Sequence, residues 1–138
     1  MRSRQLATWS ILVLLTVVFL APPATNAQGK TAQQFYQEYV AAFAKAKTID
    51  DILPFMAAEN RKQAEATPKA ERDKMFEMIK MFGHTDIKVI KEEKGADGST
   101  VLSVEGVDAD KQTSTGQVTI VKEGAAWKIG KESWTTKS

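Results

Sequence analysis

Acid–base chemistry needs a carboxylate or an imidazole that can meet a hydrogen-bond donor, and this chain has few residues spaced to supply one. Tyr36 and Tyr39 could act as donors, and Asp50, Asp51 or Glu105 as acid or base. Each has a plainer use. The two tyrosines recur at helical core spacing, which buries a ring and leaves its hydroxyl at an edge. Asp50 and Asp51 stand where the first turn of a helix favours negative charge. Glu105 alternates with Val104 and should face water. No catalytic residue is assigned.

His84 is the only histidine and there is no cysteine, so neither a thiol–imidazole dyad nor a zinc ligand set can be assembled. Placed just after a predicted helix, His84 suits the negative end of the helix dipole or solvent. Asp108-Ala109-Asp110 starts like a calcium loop, but Thr113 stands where that loop needs glycine and Thr119 where it needs a bidentate glutamate. Neither a metal nor a cofactor is expected. Met75, Met78 and Met81, with Ile79 and Phe82, cover more than one side of a helix. Flexible thioethers fill irregular cores, and they also line pockets or partner surfaces. Arg61, Lys62, Lys69, Arg72 and Lys74 alternate with Glu59, Glu65, Glu71 and Asp73, a solvated face rather than a nucleic-acid patch.

The elements that must position these residues follow from periodicity. Between Thr85 and Thr135, Ile87 and Val89, Leu102 and Val104, Val118 and Ile120, and Trp127 and Ile129 each alternate with polar neighbours. A period of two predicts four strands, each with one dry face. Gly95-Ala96-Asp97-Gly98 and Glu123-Gly124-Ala125-Ala126 read as tight hairpin turns, with a longer polar connection over Asp108 to Gln112. Gly106 and Gly116 fall within or beside strands, where glycine marks a bend or bulge. A sheet with one apolar face requires a cover, and the sequence ahead of it is helical.

Thr31 and Gln34 form a capping box for a first helix, whose Phe35, Tyr36, Tyr39, Val40 and Phe43 share helical spacing. Thr48 to Asp51 starts a second, in which Pro54 predicts a short turn or a bend. Ala57 to Ala66 reads as its exposed continuation. Thr67-Pro68 opens a third helix that Gly83 stops.

Ahead of these, Met1 to Ala27 has the parts of a secretory signal: Arg2 and Arg4, an apolar run from Ile11 to Ala21, and the small-residue exit Ala24-Thr25-Asn26-Ala27. Cleavage is expected after Ala27. The run is too short for a stable membrane anchor. Without residues 1–27, 17 basic residues balance 17 acidic ones, so the basic pI near 8.8 belongs to the signal. The remaining 28–138 make one domain, secreted or periplasmic, stable through its core without disulfides.

Phe35-Tyr36-Gln37-Glu38-Tyr39-Val40, Thr48-Ile49-Asp50-Asp51-Ile52-Leu53-Pro54-Phe55, and the run Val118 to Ile129 with its Trp-Lys-Ile ending resemble small exported members of the nuclear transport factor two-like superfamily. The resemblance covers nearly all of residues 28–138. It implies an α+β fold, with three N-terminal helices on one face of a curved four-stranded antiparallel meander, a cone-like, cystatin-like roll. In that superfamily the cone is filled, holds an apolar ligand, or carries catalysis. The expectation drawn here is a non-catalytic binding domain with a small apolar ligand among Tyr36, Tyr39, Phe43, Met75, Ile79 and Trp127. Its alternatives are an interaction domain with a filled core, dimerising through its sheet, and an isomerase-like or hydrolase-like enzyme.

Overall fold

The computed structural model describes residues 29–137; the signal expected over residues 1–27, with its cleavage after Ala27, lies outside them. Among the described residues, helices α1 (Ala32–Lys45), α2 (Ala58–Ala66) and α3 (Lys69–Met81) precede strands β1 (Thr85–Lys94), β2 (Thr100–Val107), β3 (Thr113–Glu123) and β4 (Ala126–Thr136). The strands form one antiparallel sheet in the order β1-β2-β3-β4. The chain is therefore α+β. None of the described helices is long and apolar enough to cross a membrane.

The start of α1 is set by the expected capping box: Gln34 N–H donates to Thr31 Oγ1 at 3.1 Å, and Thr31 N–H to Gln34 Oε1 at 3.0 Å. Its apolar side lies on the sheet. Ala32, Phe35 and Tyr36 share a core with Leu102, Val104, Val118, Ile120 and Ile129, and Ile87, Val89 and Trp127 pack at its margin. All four alternating strand segments thus turn their apolar members to α1. Leu102, Val104, Val118 and Ile120 are each at most 1% exposed, and burial of that kind stabilises by about 1.5–3 kcal/mol per side chain.

The other helices sit elsewhere. Pro54 is accommodated by two 3-10 turns, Ile49–Asp51 and Leu53–Phe55, in place of a regular helix. Ala57 to Ala66 does not continue them: Met56 first bridges Ile129 in parallel along the edge of β4, and α2 begins afresh after it. Ala57 offers α2 no capping side chain, so Glu123 supplies one from the end of β3, accepting from Ala58 N–H at 2.6 Å and pairing with Arg61 at 3.2 Å. Pro68, not Thr67, stands at the N-cap position of α3 and makes no side-chain cap; Thr67 ends α2, its hydroxyl donating to the Gln63 carbonyl. α3 packs through Phe76, which joins Ala46 and Ile52 in a second core beside Phe43. Of the three helices expected on the sheet's face, α1 covers the main core, α2 runs by the β4 edge, and α3 rests on α1 and the first 3-10 turn.

Both hairpins form as expected, and Gly124 has φ 62° at the first central position of a two-residue loop, which strongly favours glycine. Three register breaks interrupt the ladders. In β1 two residues, Asp86 and Ile87, stand opposite Gly106, and after the regular pairs of Lys88 and Val89, Ile90 is extra. In β4 the extra residue is Gly130, between Ile129 (opposite Ile120) and Lys131 (opposite Thr119). Gly116 stays in regular register opposite Trp134.

Candidate functional site

Gly130 decides which side chains of β4 face the core. Read with unbroken alternation, Trp127 and Ile129 would be followed inward by Lys131 and Ser133, leaving Glu132 in solvent. The extra residue reverses that phase, because side chains alternate strictly and a slip of one exchanges the faces. Glu132 now stands opposite Val118 and Trp134 opposite Gly116, on the face that α1 covers. The carbonyls at the bulge are not left open: Ile129 accepts from Ala57 N–H at 2.8 Å and Gly130 from Asn60 Nδ2 at 2.8 Å.

The inward turn creates a polar spot in an apolar surface. Trp134 Nε1 donates to Glu132 Oε1 at 2.7 Å. Glu132 keeps contact with solvent, yet protein crowds it closely enough that desolvation, partly offset by the Trp134 hydrogen bond, raises its carboxyl above the ordinary range. No ion pair to Glu132 forms among the described residues. Its charge is felt from α1: burial first, and then the Glu132 carboxylate, push both Tyr36 and Tyr39 upward. Tyr36 is 1% exposed and its hydroxyl is buried without a hydrogen-bond partner among the described residues, rather than lying at an edge as its spacing suggests. A lone buried hydroxyl costs roughly 1–3 kcal/mol.

Trp134 is held on both sides. His84 stacks on it with ring centroids 3.9 Å apart and planes 11° from parallel. Across the strand pair its ring lies over Gly116, where an added Cβ would come within 2.8 Å of Cδ2. His84 is therefore packed on an aromatic face rather than free at a helix end. Its burial lowers its pKa, an effect the Asp108 charge opposes.

Tyr36 also lines a groove of about 300 Å³ between α1 and β1, with Gln37, Val40, Ile87, Lys88 and Val89. A larger depression of about 430 Å³ lies over the β1 bulge between Asp86, Lys88, Glu105 and Thr113, and no unpaired buried group faces it. We place the candidate site at the smaller one, because Tyr36, whose hydroxyl has no partner among the described residues, is one of the residues that line it.

The residues singled out by sequence are partly gathered. Tyr36 and Tyr39 are neighbours at 6.0 Å between centroids, and Tyr39 meets Phe43 at 6.1 Å, so these three form a row along α1. Phe43 continues to Phe76 at 5.6 Å and belongs to the second core. Trp127 has a fastening role: its Nε1 donates to the Lys30 carbonyl at 2.7 Å, tying the start of α1 to β4. Met75 and Ile79 are each 48% exposed on α3 and take no part in the cluster. Asp50 pairs with Arg72 at 3.0 Å, Asp51 caps the Lys47 and Thr48 amides, and Glu105 faces outward towards Lys137 at 3.8 Å. Asp108 folds its own loop, accepting from the Asp110 and Gln112 amides. No group of three acidic, histidine or cysteine side chains fit to hold a metal occurs among the described residues. Glu132 and Trp134 escaped the sequence reading, and Gly130 was the signal for them.

No family model matches the chain, and neither the curated proteins nor the solved structures contain a match.

Proposed function

We propose that this chain is an exported, non-catalytic binding domain of the nuclear transport factor two-like kind, with α1 and the bulged sheet forming a shallow cone. Its ligand is small and mostly apolar, lies in the groove between α1 and β1, and carries one polar group that completes the Tyr36 hydroxyl. The observation that supports this reading is the Tyr36 hydroxyl, buried without a hydrogen-bond partner among the described residues and within the field of the Glu132 carboxylate. The large majority of buried side-chain polar groups in native proteins are paired, so an orphan on a residue that lines a groove is suited to a ligand's partner atom. Apolar rings and branched side chains around it provide the rest of the affinity.

The reading is tested with Tyr36→Phe. If the hydroxyl is reserved for a ligand, removing it relieves the unliganded protein and weakens binding, so the two effects have opposite signs. Melting temperature without ligand should rise by a few degrees. The small molecule retained by the purified protein in native mass spectrometry should be lost or depleted in the variant. Tyr36→Phe with a lower melting temperature, and a wild type that carries no small molecule and is stabilised by none of a panel of lipids and aromatic acids, would refute it. Export is checked separately by intact mass: secretion with processing gives a chain beginning at Gln28.

A further inference from the structure

Helix α3 shows solvent an apolar stripe that neither core explains. Met75, Met78, Ile79 and Phe82 follow one another at intervals of three, one and three residues, and are 48%, 55%, 48% and 67% exposed. That spacing places them on one side of the helix. The packed side is a different one: Phe76 enters the second core, Arg72 reaches Asp50, and Lys80 Nζ donates to the Ala44 and Ala46 carbonyls. Met81, 69% exposed, widens the stripe along its border. Amphipathic helices normally bury such a stripe, and here it is turned outward.

We infer that this stripe is the interface of a homodimer in which α3 packs antiparallel on α3 of a second copy. The order of the residues fits a two-fold axis passing between Met78 and Ile79. About that axis Met75 meets Phe82 of the other chain and Met78 meets Ile79, twice over, so the surface is complementary to itself, as a closed two-fold pair requires. Size points the same way. Five large side chains, each about half or more exposed, leave on the order of 500 Å² of apolar surface, at the upper end of what a monomer displays. Two such patches facing each other would remove roughly 1,000 Å², about the threshold of a specific interface. Thioethers also let the two helices settle without exact shape matching. The outer face of the sheet, through which a dimer was expected, offers no equivalent: Ser103, Glu105, Thr115, Gln117, Lys131 and Ser133 make it mostly polar.

Sedimentation velocity of the purified protein from about 1 to 100 µM should show a reversible monomer–dimer equilibrium. Met78→Lys and Ile79→Glu alone should each weaken the dimer by about 30-fold or more, since each puts a charge against an apolar partner at the axis. Both positions are open to solvent in the monomer, so circular dichroism of either variant should match the wild type. Mixed in equal amounts, the two variants should dimerise again, because the hybrid sets the introduced ammonium of one chain against the introduced carboxylate of the other. A protein that stays monomeric at about 100 µM, or a dimer that both single variants leave intact, overturns the inference. So does a mixture that remains monomeric while each variant keeps its fold.

Discussion

Gly116→Ala is the smallest change that should disturb the site. The new methyl would lie 2.8 Å from Cδ2 and 2.9 Å from Cε3 of Trp134, and 2.9 Å from the Ser133 carbonyl oxygen. Carbon atoms are in comfortable contact at about 3.5–4.0 Å, so the indole must move by roughly 0.7 Å or more. It has little freedom to do so, with His84 stacked at 3.9 Å and Nε1 bound to Glu132 at 2.7 Å. Forcing one extra carbon into a packed contact costs about 1–3 kcal/mol. Loosening a hydrogen bond to a charged group adds up to about 1 kcal/mol after discounting for the solvent that reaches Glu132. A total near 2–3 kcal/mol should lower the melting temperature of a domain this size by about 10 °C. The assay is thermal denaturation followed by circular dichroism, together with a cycle on Trp134→Ala. Two of the three nearest atoms to the methyl belong to the indole, so with Trp134 truncated Gly116→Ala should cost less than half as much. If its cost is the same in both backgrounds, or below about 0.5 kcal/mol in the wild type, Trp134 does not lie over Gly116 as described.

Two further changes probe other parts of the chain. Burial raises the Glu132 pKa, so the folded state prefers the protonated form; that preference stabilises fully below the unfolded-state value of about 4.3 and is lost as pH rises through the folded value. Glu132→Gln should therefore gain melting temperature relative to wild type between about pH 4 and 8, and a difference independent of pH would show that the carboxyl is not desolvated. Phe76→Ala empties the centre of the second core, where Phe76 is 1% exposed and stacks edge-on to Phe43, and should cost about 3–5 kcal/mol in urea denaturation. A loss under about 1 kcal/mol would mean that α3 contributes little to holding α1 in place.

The extent to which the sequence revealed this molecule varies by element. Thr31 and Gln34 mark the start of α1 by a local exchange of hydrogen bonds, and the structure keeps it. The four alternating strand segments, both glycine hairpins and the break at Pro54 are equally local, each following from the geometry of a few neighbouring residues. Asp51 and Glu105 are local in the same way, one capping adjacent amides and the other following strand alternation, whereas the Asp50 ion pair to Arg72 joins residues 22 positions apart. The resemblance to a superfamily led only to an expected shape, and the site within it had to be found from contacts.

Residue order was enough for an α+β chain, its strand faces up to Ile129, and the absence of cysteine and of a second histidine. Tertiary structure alone decided that α3 leans on α1, that its methionine stripe looks outward, and that Tyr36 loses its hydroxyl to the interior. It also decided that Glu132 and Trp134 point inward. Propensity and alternation act between near neighbours, whereas the phase of β4 is set by one unpaired residue at Gly130, whose carbonyl accepts from Asn60 of α2, 70 positions earlier in the chain.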